Sequence, residues 1–258
     1  MEAMFFGPAS HALYGVYHPP TRARARESGV VLCYPAGQEY IRIHRAYRWL
    51  ADQLAACGFH VLRFDYSGQG DSHGSFADAR VSQWMDDVGT AVNELRVSVG
   101  VETVDLVGLR LGALIAAAVA PQHAVRRLVM WEPRAHGGVL HRELFGDDPA
   151  ARTLDEVGLV PRHGFAYAPA FLDELASFDP SQHLGGVATQ QVAKLLVVNA
   201  EPVEGLDAML SRYRAAGAAI EECLVDSPTN WNSIDDMGGL FLPLPSMQLI
   251  AGWLDADR

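Results

Sequence analysis

The stretch VDLVGLRLGALIAAAVA, residues 104–120, decides how the rest of the chain is read. A short apolar run, Val104–Val107, enters Gly108-Leu109-Arg110-Leu111-Gly112, and an alanine-rich segment follows until Pro121. Strand, tight turn and helix in that order form the turn that presents a nucleophilic serine when its apex reads Gly-x-Ser-x-Gly. Here the apex is arginine. A guanidinium stays protonated, with a pKa above about 12, so Arg110 is neither nucleophile nor general base. At the start of a helix it is suited to holding a carboxylate, a phosphate or a developing oxyanion.

Outward from this turn the chain alternates between two patterns. Val30–Tyr34, Phe59–Phe64, Val104–Val107, Leu128–Trp131, Leu195–Val198 and Ile220–Val225 are short apolar runs that read as buried strands. Tyr40–Ala56, Val81–Val97, Gly205–Ala216 and Pro245–Leu254 carry apolar residues at helical spacing. Strand followed by helix, repeated, predicts a mostly parallel sheet with helices on both faces. Met4–Phe6 and Ala12–Tyr17 read as a leading antiparallel hairpin.

The rhythm breaks between Trp131 and Lys194, where no run reads as a strand and helical fragments are expected at Val139–Phe145 and Pro169–Phe178. An interval of about sixty residues is too long for an ordinary connection. The expected organisation is therefore a core over residues 1–132, a helical cap inserted at 133–192, and the rest of the core over 193–258. In a parallel sheet, sites form at the carboxyl ends of strands. That selects Pro35–Tyr40, Asp65–Ser72, Arg110, Glu132, Asn199–Glu204 and 226–232, and leaves His60 and Arg126, at the opposite ends, structural.

The bulk numbers exclude several classes of function. A net charge of −11 argues against nucleic acid or an anionic membrane engaged through a broad basic face. The one basic cluster, Arg22, Arg24 and Arg26, reads as an exposed turn. Three cysteines at unrelated spacings give neither a disulfide framework nor a zinc site, which fits a reducing cytoplasm. The first fifteen residues lack the pattern of a signal peptide, and the apolar run Leu111–Ala120 is about half the length of a membrane span. No spacing of His, Cys, Asp and Glu suggests a metal. The glycines of GQGDSHG miss the dinucleotide fingerprint, so no cofactor is expected.

YPAGQEYIRIHRAYRWLADQLAACGFHVLRFDYSGQGDSHG (34–74), VDLVGLRLGALIA (104–116), VMWEP (129–133) and GFAYAPAFLDEL (164–175) together resemble the α/β-hydrolase fold. The resemblance is to its serine-aminopeptidase-like branch and to the exosortase-associated and biosynthetic-cluster hydrolases of bacteria. Several of those carry Gly-x-Arg-x-Gly at the elbow. It implies that Ala36, Gly37 and Gln38 form the oxyanion loop and that the N–H of Leu111 is its second donor. It also implies an acid near Glu132, Glu201 or Glu204. It further implies a catalytic histidine before the last helix, but residues 226–244 contain none and His183 is the last in the chain. Two members of the catalytic triad are therefore absent from their positions.

Two readings of Arg110 follow. In the first it binds an acyl, ester, thioester or carboxylate-bearing small molecule, with Glu201 or Glu132 as catalytic carboxylates and Glu39 and His44 lining the site. The protein is then an enzyme without a serine nucleophile. In the second, Glu132, Glu39 or Glu201 neutralises Arg110 in a buried ion pair. The protein is then a pseudo-hydrolase serving as a binding or scaffold protein, with an acyl-carrier protein or biosynthetic enzyme as the expected partner. His136, His141 and His163 could supply an acid or base from the cap.

Overall fold

The computed structural model describes residues 1–22, 25–146, 153–184, 192–229, 231 and 241–256. Its main sheet has eight strands in the order β1-β2-β4-β3-β5-β6-β9-β10. β1 (Glu2–Phe6) and β2 (Leu13–His18) form the leading antiparallel hairpin, and β2 pairs antiparallel with β4 (His60–Phe64). β3 (Ser28–Cys33), β5 (Thr103–Leu109), β6 (Arg127–Trp131), β9 (Lys194–Asn199) and β10 (Ala219–Leu224) continue it in parallel. β3 is buried along its whole length, which is why its sequence lacks polar alternation. β10 is mostly exposed and carries Glu221 and Glu222 at the sheet's edge.

From β3 the chain steps first to β4 and then, through β5, in the other direction. Right-handed crossovers in opposite directions place the connecting helices on opposite faces. α1 (Gly37–Ala56) packs with α7 (Leu244–Ala256), and α2 (Val81–Glu94) packs with α3 (Leu111–Val119). α3 is apolar all round because it is buried all round. α6 (Leu206–Ala215) is tied to it by the Tyr213 hydroxyl, which donates to the Ala117 carbonyl at 3.0 Å. At the amino ends of the strands, Asp105 accepts from Arg127 Nη2 at 2.6 Å and from Arg127 Nε at 3.0 Å. His60, at that same end, meets the Tyr17 hydroxyl at 2.6 Å.

Two expectations need correction. Helix α1 begins at Gly37 rather than Tyr40, with Ala36 as its N-cap, so the expected oxyanion loop is largely the first turn of a helix. The interval between β6 and β9 is not purely helical. Between α4 (Gly137–Phe145) and α5 (Pro169–Ser177) lies a small antiparallel hairpin, β7 (Val160–Arg162) and β8 (Phe165–Tyr167). His163 and Gly164 turn it with φ of 49° and 81°, the left-handed pair that a two-residue hairpin turn requires. Three-residue strands are too short to show a period, and His-Gly is not the usual turn dipeptide. Residues 147–152 and 185–191 of this interval lie outside the described residues, as do 230 and 232–240 of the stretch before α7.

Candidate functional site

β5 ends and α3 begins at Arg110, whose φ of 55° and ψ of −116° are strained for a residue with a Cβ. The neighbouring glycines make the turn possible. A Cβ on Gly108 would lie 2.3 Å from the Gly112 carbonyl oxygen, and one on Gly112 would lie 2.3 Å from the Cys33 carbonyl oxygen. The spacing Gly-x-Arg-x-Gly is thus a steric requirement of packing α3 against the end of β3. The Arg110 N–H is anchored on the Trp131 carbonyl at 2.9 Å.

The Arg110 side chain is 1% exposed and is held from two sides. Nε donates to Glu39 Oε1 at 3.0 Å, from the first turn of α1. Nη2 donates to Glu143 Oε2, on α4. Nη1 is buried and has no hydrogen-bond partner among the described residues. Burial works against the charge on Arg110, but Glu39 and Glu143 outweigh it and leave its pKa above the ordinary value. Glu143 also accepts from Arg134 Nε. Burial raises the Glu143 pKa, but Arg110 and Arg134 prevail and hold it below the ordinary carboxylate value.

Glu132 follows β6 with a φ of 47°. Its Oε1 accepts from the Ala200 N–H at 2.7 Å, and its Oε2 lies 3.6 Å from Arg134 Nη1. Burial raises its pKa, partly offset by Ala200, Arg134 and Arg110. Above the N-terminus of α1 stands Tyr167, whose hydroxyl would lie 2.0 Å from a Cβ on Gly37, a glycine with φ of 56°. That hydroxyl has no hydrogen-bond partner among the described residues. Burial, followed by Glu39, raises its pKa well above the usual phenol value.

The structure therefore gathers Arg110, Glu39, Ala36, Gly37, Gln38, Leu111 and Glu132 at the carboxyl ends of the central strands. It does not bring Glu201 or His44 to Arg110. Glu201 is exposed. His44 leaves α1 on another side and rings Tyr34 and Tyr40, each 6.0 Å away between centroids. Among the histidines of the interval, His136 caps α4 by accepting from the Gly138 N–H at 3.2 Å, and His141 stacks on Phe145. His163 sits in the β7–β8 turn.

Sequence reasoning missed Glu143 and Arg134. Glu143 stands at the exposed flank of α4 beside the buried Leu140 and Leu144, where the helical pattern predicts solvent rather than a buried cation as its partner.

The model for serine aminopeptidase, S33, matches residues 29–136, from β3 through the elbow to just past β6. Est1E from Butyrivibrio proteoclasticus, solved with ferulic acid bound, superposes with a TM-score of 0.68 at 14% identity, covering 98% of this chain and 97% of that one. This is the α/β-hydrolase fold. The hydrolase fold also relates the chain to XC6422 from Xanthomonas campestris, described as an α/β serine hydrolase without lid. That match has a TM-score of 0.57 at 15% identity, over 86% and 83% of the two chains. The Pyrococcus furiosus esterase Pf2001 follows with a TM-score of 0.58 at 14% identity, over 86% and 80%. No protein of curated function matches the chain significantly in sequence. In enzymes of the hydrolase fold, the strand-to-helix turn at the position of Arg110 carries the nucleophile, and the loop after the third strand supplies an oxyanion donor.

Proposed function

We propose that the protein is a hydrolase-type enzyme that polarises the carbonyl of a small acyl compound, an ester or thioester, without a covalent serine intermediate. The carrying observation is the buried Nη1 of Arg110, which has no partner at the apex of the elbow. A buried donor left unsatisfied costs about 1–3 kcal/mol, and a carbonyl oxygen offered to it recovers that. The first N–H of α3, on Leu111, is among those that helix geometry leaves without an intrahelical acceptor. Formal charges refine the ligand class. Arg110 and Arg134 stand against Glu39, Glu132 and Glu143, so the cluster is already net negative. A neutral carbonyl fits this balance better than a full carboxylate.

In this reading Arg110 and the Leu111 N–H stabilise the oxyanion that forms as water attacks. The water's proton goes to Glu132, a buried carboxylate whose pKa is raised. Tyr167, beside Gly37, donates its proton to the leaving group and regains it from Glu132 through water, while α4, α5 and the β7–β8 hairpin form the cap above.

A second reading is favoured by Glu39 and Glu143 together, which occupy two of the three guanidinium nitrogens. Here the ion pair seals a non-catalytic elbow. Turnover of an ester and thioester panel, run beside a fluorophosphonate probe, separates the two. The first reading requires turnover without probe labelling, and its loss in a folded Arg110→Met variant. Stoichiometric labelling refutes both readings. No turnover across the panel, with no member raising the Tm, leaves the sealed elbow.

A further inference from the structure

We propose a second ligand site, for a small planar monocarboxylate, in the cleft between α1 and the leading hairpin, with Arg63 as its anion receptor. The cleft has a volume of about 560 Å³ and is lined by Tyr34, Tyr40, His44, Arg63, Asp65 and Asp71, with Tyr14 and Val16 opposite. That volume lies within the ordinary range for small-molecule sites. It is separate from the elbow: on α1, Glu39 turns to Arg110 while the next residue, Tyr40, turns to Asp65.

Arg63 distinguishes this cleft from a surface dimple. It is 6% exposed, yet no carboxylate among the described residues lies in ion-pair range of it. Nε donates to His18 Nε2 at 3.0 Å and Nη1 to the Tyr34 hydroxyl at 3.1 Å. Both acceptors are neutral, because His18 donates its other ring N–H to Asp52 at 2.8 Å. Asp52 itself is one imidazole removed from the guanidinium. A buried cation with no carboxylate in contact is costly, and the cost is relieved when an anion reaches it. Nη2 makes no hydrogen bond to the described residues and is the corner left for such an anion.

The walls define the rest of the ligand. The rings of Tyr34, Tyr40 and His44 stand 5.0 to 6.0 Å apart between centroids and are tilted by 23° to 67° to one another, which makes the wall beside Arg63 aromatic. A small aromatic body packs edge-on or offset against such a wall. Asp65 and Asp71 limit the charge. Asp65 already accepts from the Tyr40 hydroxyl at 2.7 Å and from the Asp71 N–H at 3.2 Å; burial raises its pKa and these two bonds only partly offset that. The formal sum of Arg63, Asp65 and Asp71 is also negative, but, unlike at Arg110, neither carboxylate contacts the guanidinium, so a monoanion seated on Arg63 is accommodated and a phosphate dianion is repelled.

Calorimetric titration of the full chain with benzoate, benzamide and inorganic phosphate tests the site. Benzoate binds, while benzamide and phosphate bind at least about tenfold more weakly. Arg63→Gln abolishes benzoate binding, and Arg110→Met leaves it unchanged. Should Arg63→Gln fail to fold, the exposed variant His44→Glu places a carboxylate on the aromatic wall and weakens benzoate about tenfold or more. The proposal is overturned if wild type does not bind benzoate or binds benzamide equally well. It is also overturned if His44→Glu has no effect, or if binding disappears with Arg110→Met, which moves benzoate to the elbow.

Discussion

Arg110 and Arg127 are the same residue type, each 1% exposed, at opposite ends of neighbouring parallel strands, one after β5 and the other opening β6. Around Arg127 every guanidinium nitrogen donates: Nε and Nη2 to Asp105, and Nη1 to the Leu254 carbonyl at 2.9 Å. Around Arg110 one nitrogen is orphaned among the described residues, one partner is the exposed Glu143, and the backbone is strained. A saturated cation closes a fold, whereas an unsaturated one on a strained turn marks a place where something else is to be bound. Burial alone does not separate these roles. The count of satisfied donors does.

Four measurements break or sharpen that contrast. Asp105→Ala leaves Arg127 buried without its counter-charge and lowers stability by about 3–5 kcal/mol in urea unfolding, the largest effect expected. A loss under about 1 kcal/mol would show that the amino-edge pair is not structural. Next, a double-mutant cycle of Arg110→Met and Glu39→Gln gives a coupling of about 1–3 kcal/mol, with the double variant recovering most of the loss from Arg110→Met alone. No recovery would mean that Glu39 does not balance Arg110.

Third, acid sensitivity differs between carboxylates. Glu143 has a lowered pKa, so its contribution to stability is present above the ordinary carboxylate value and is lost as pH falls through its lower folded value. Glu132 has a raised pKa, so its protonated form is favoured on folding, and that contribution fades as pH rises through the folded value. Glu143→Gln therefore flattens the acid limb of a plot of Tm against pH. Glu132→Gln flattens the limb just above the ordinary carboxylate range, and exchanged effects would refute the assignment. The smallest expected effect is Tyr167→Phe, within about 0.5 kcal/mol in urea unfolding, because its hydroxyl has no protein partner to lose. The same variant slows ester turnover if that hydroxyl serves the leaving group.

The parts legible in sequence are those in which one residue's neighbours decide its state. Val30, Val31 and Leu32 read as a buried strand because burial on both faces removes polar residues locally. The elbow was legible because Gly108 and Gly112 are required by backbone contacts that a Cβ would violate. The partners of Arg110 were only half legible. Glu39 sits in the first turn after β3, close in chain order to the strand end it serves. Glu143 depends on where α4 comes to rest, a tertiary outcome. His44 shows the same limit from the other side: the sequence points it toward the elbow, but five residues of helix beyond Glu39 turn it about 140° around the axis and into the Arg63 cleft.

The exposed edge strand β10 has a consequence for behaviour at high concentration. An open strand is a template for another chain's strand, and sheets that end in one invite growth. Glu221 and Glu222 stand consecutively on β10, with Glu221 accepting from Trp253 Nε1 at 3.0 Å and Glu222 paired with Arg214. A second copy approaching this edge would have to bring further backbone past these two engaged carboxylates, and charged residues on an edge strand are a common way of blunting it.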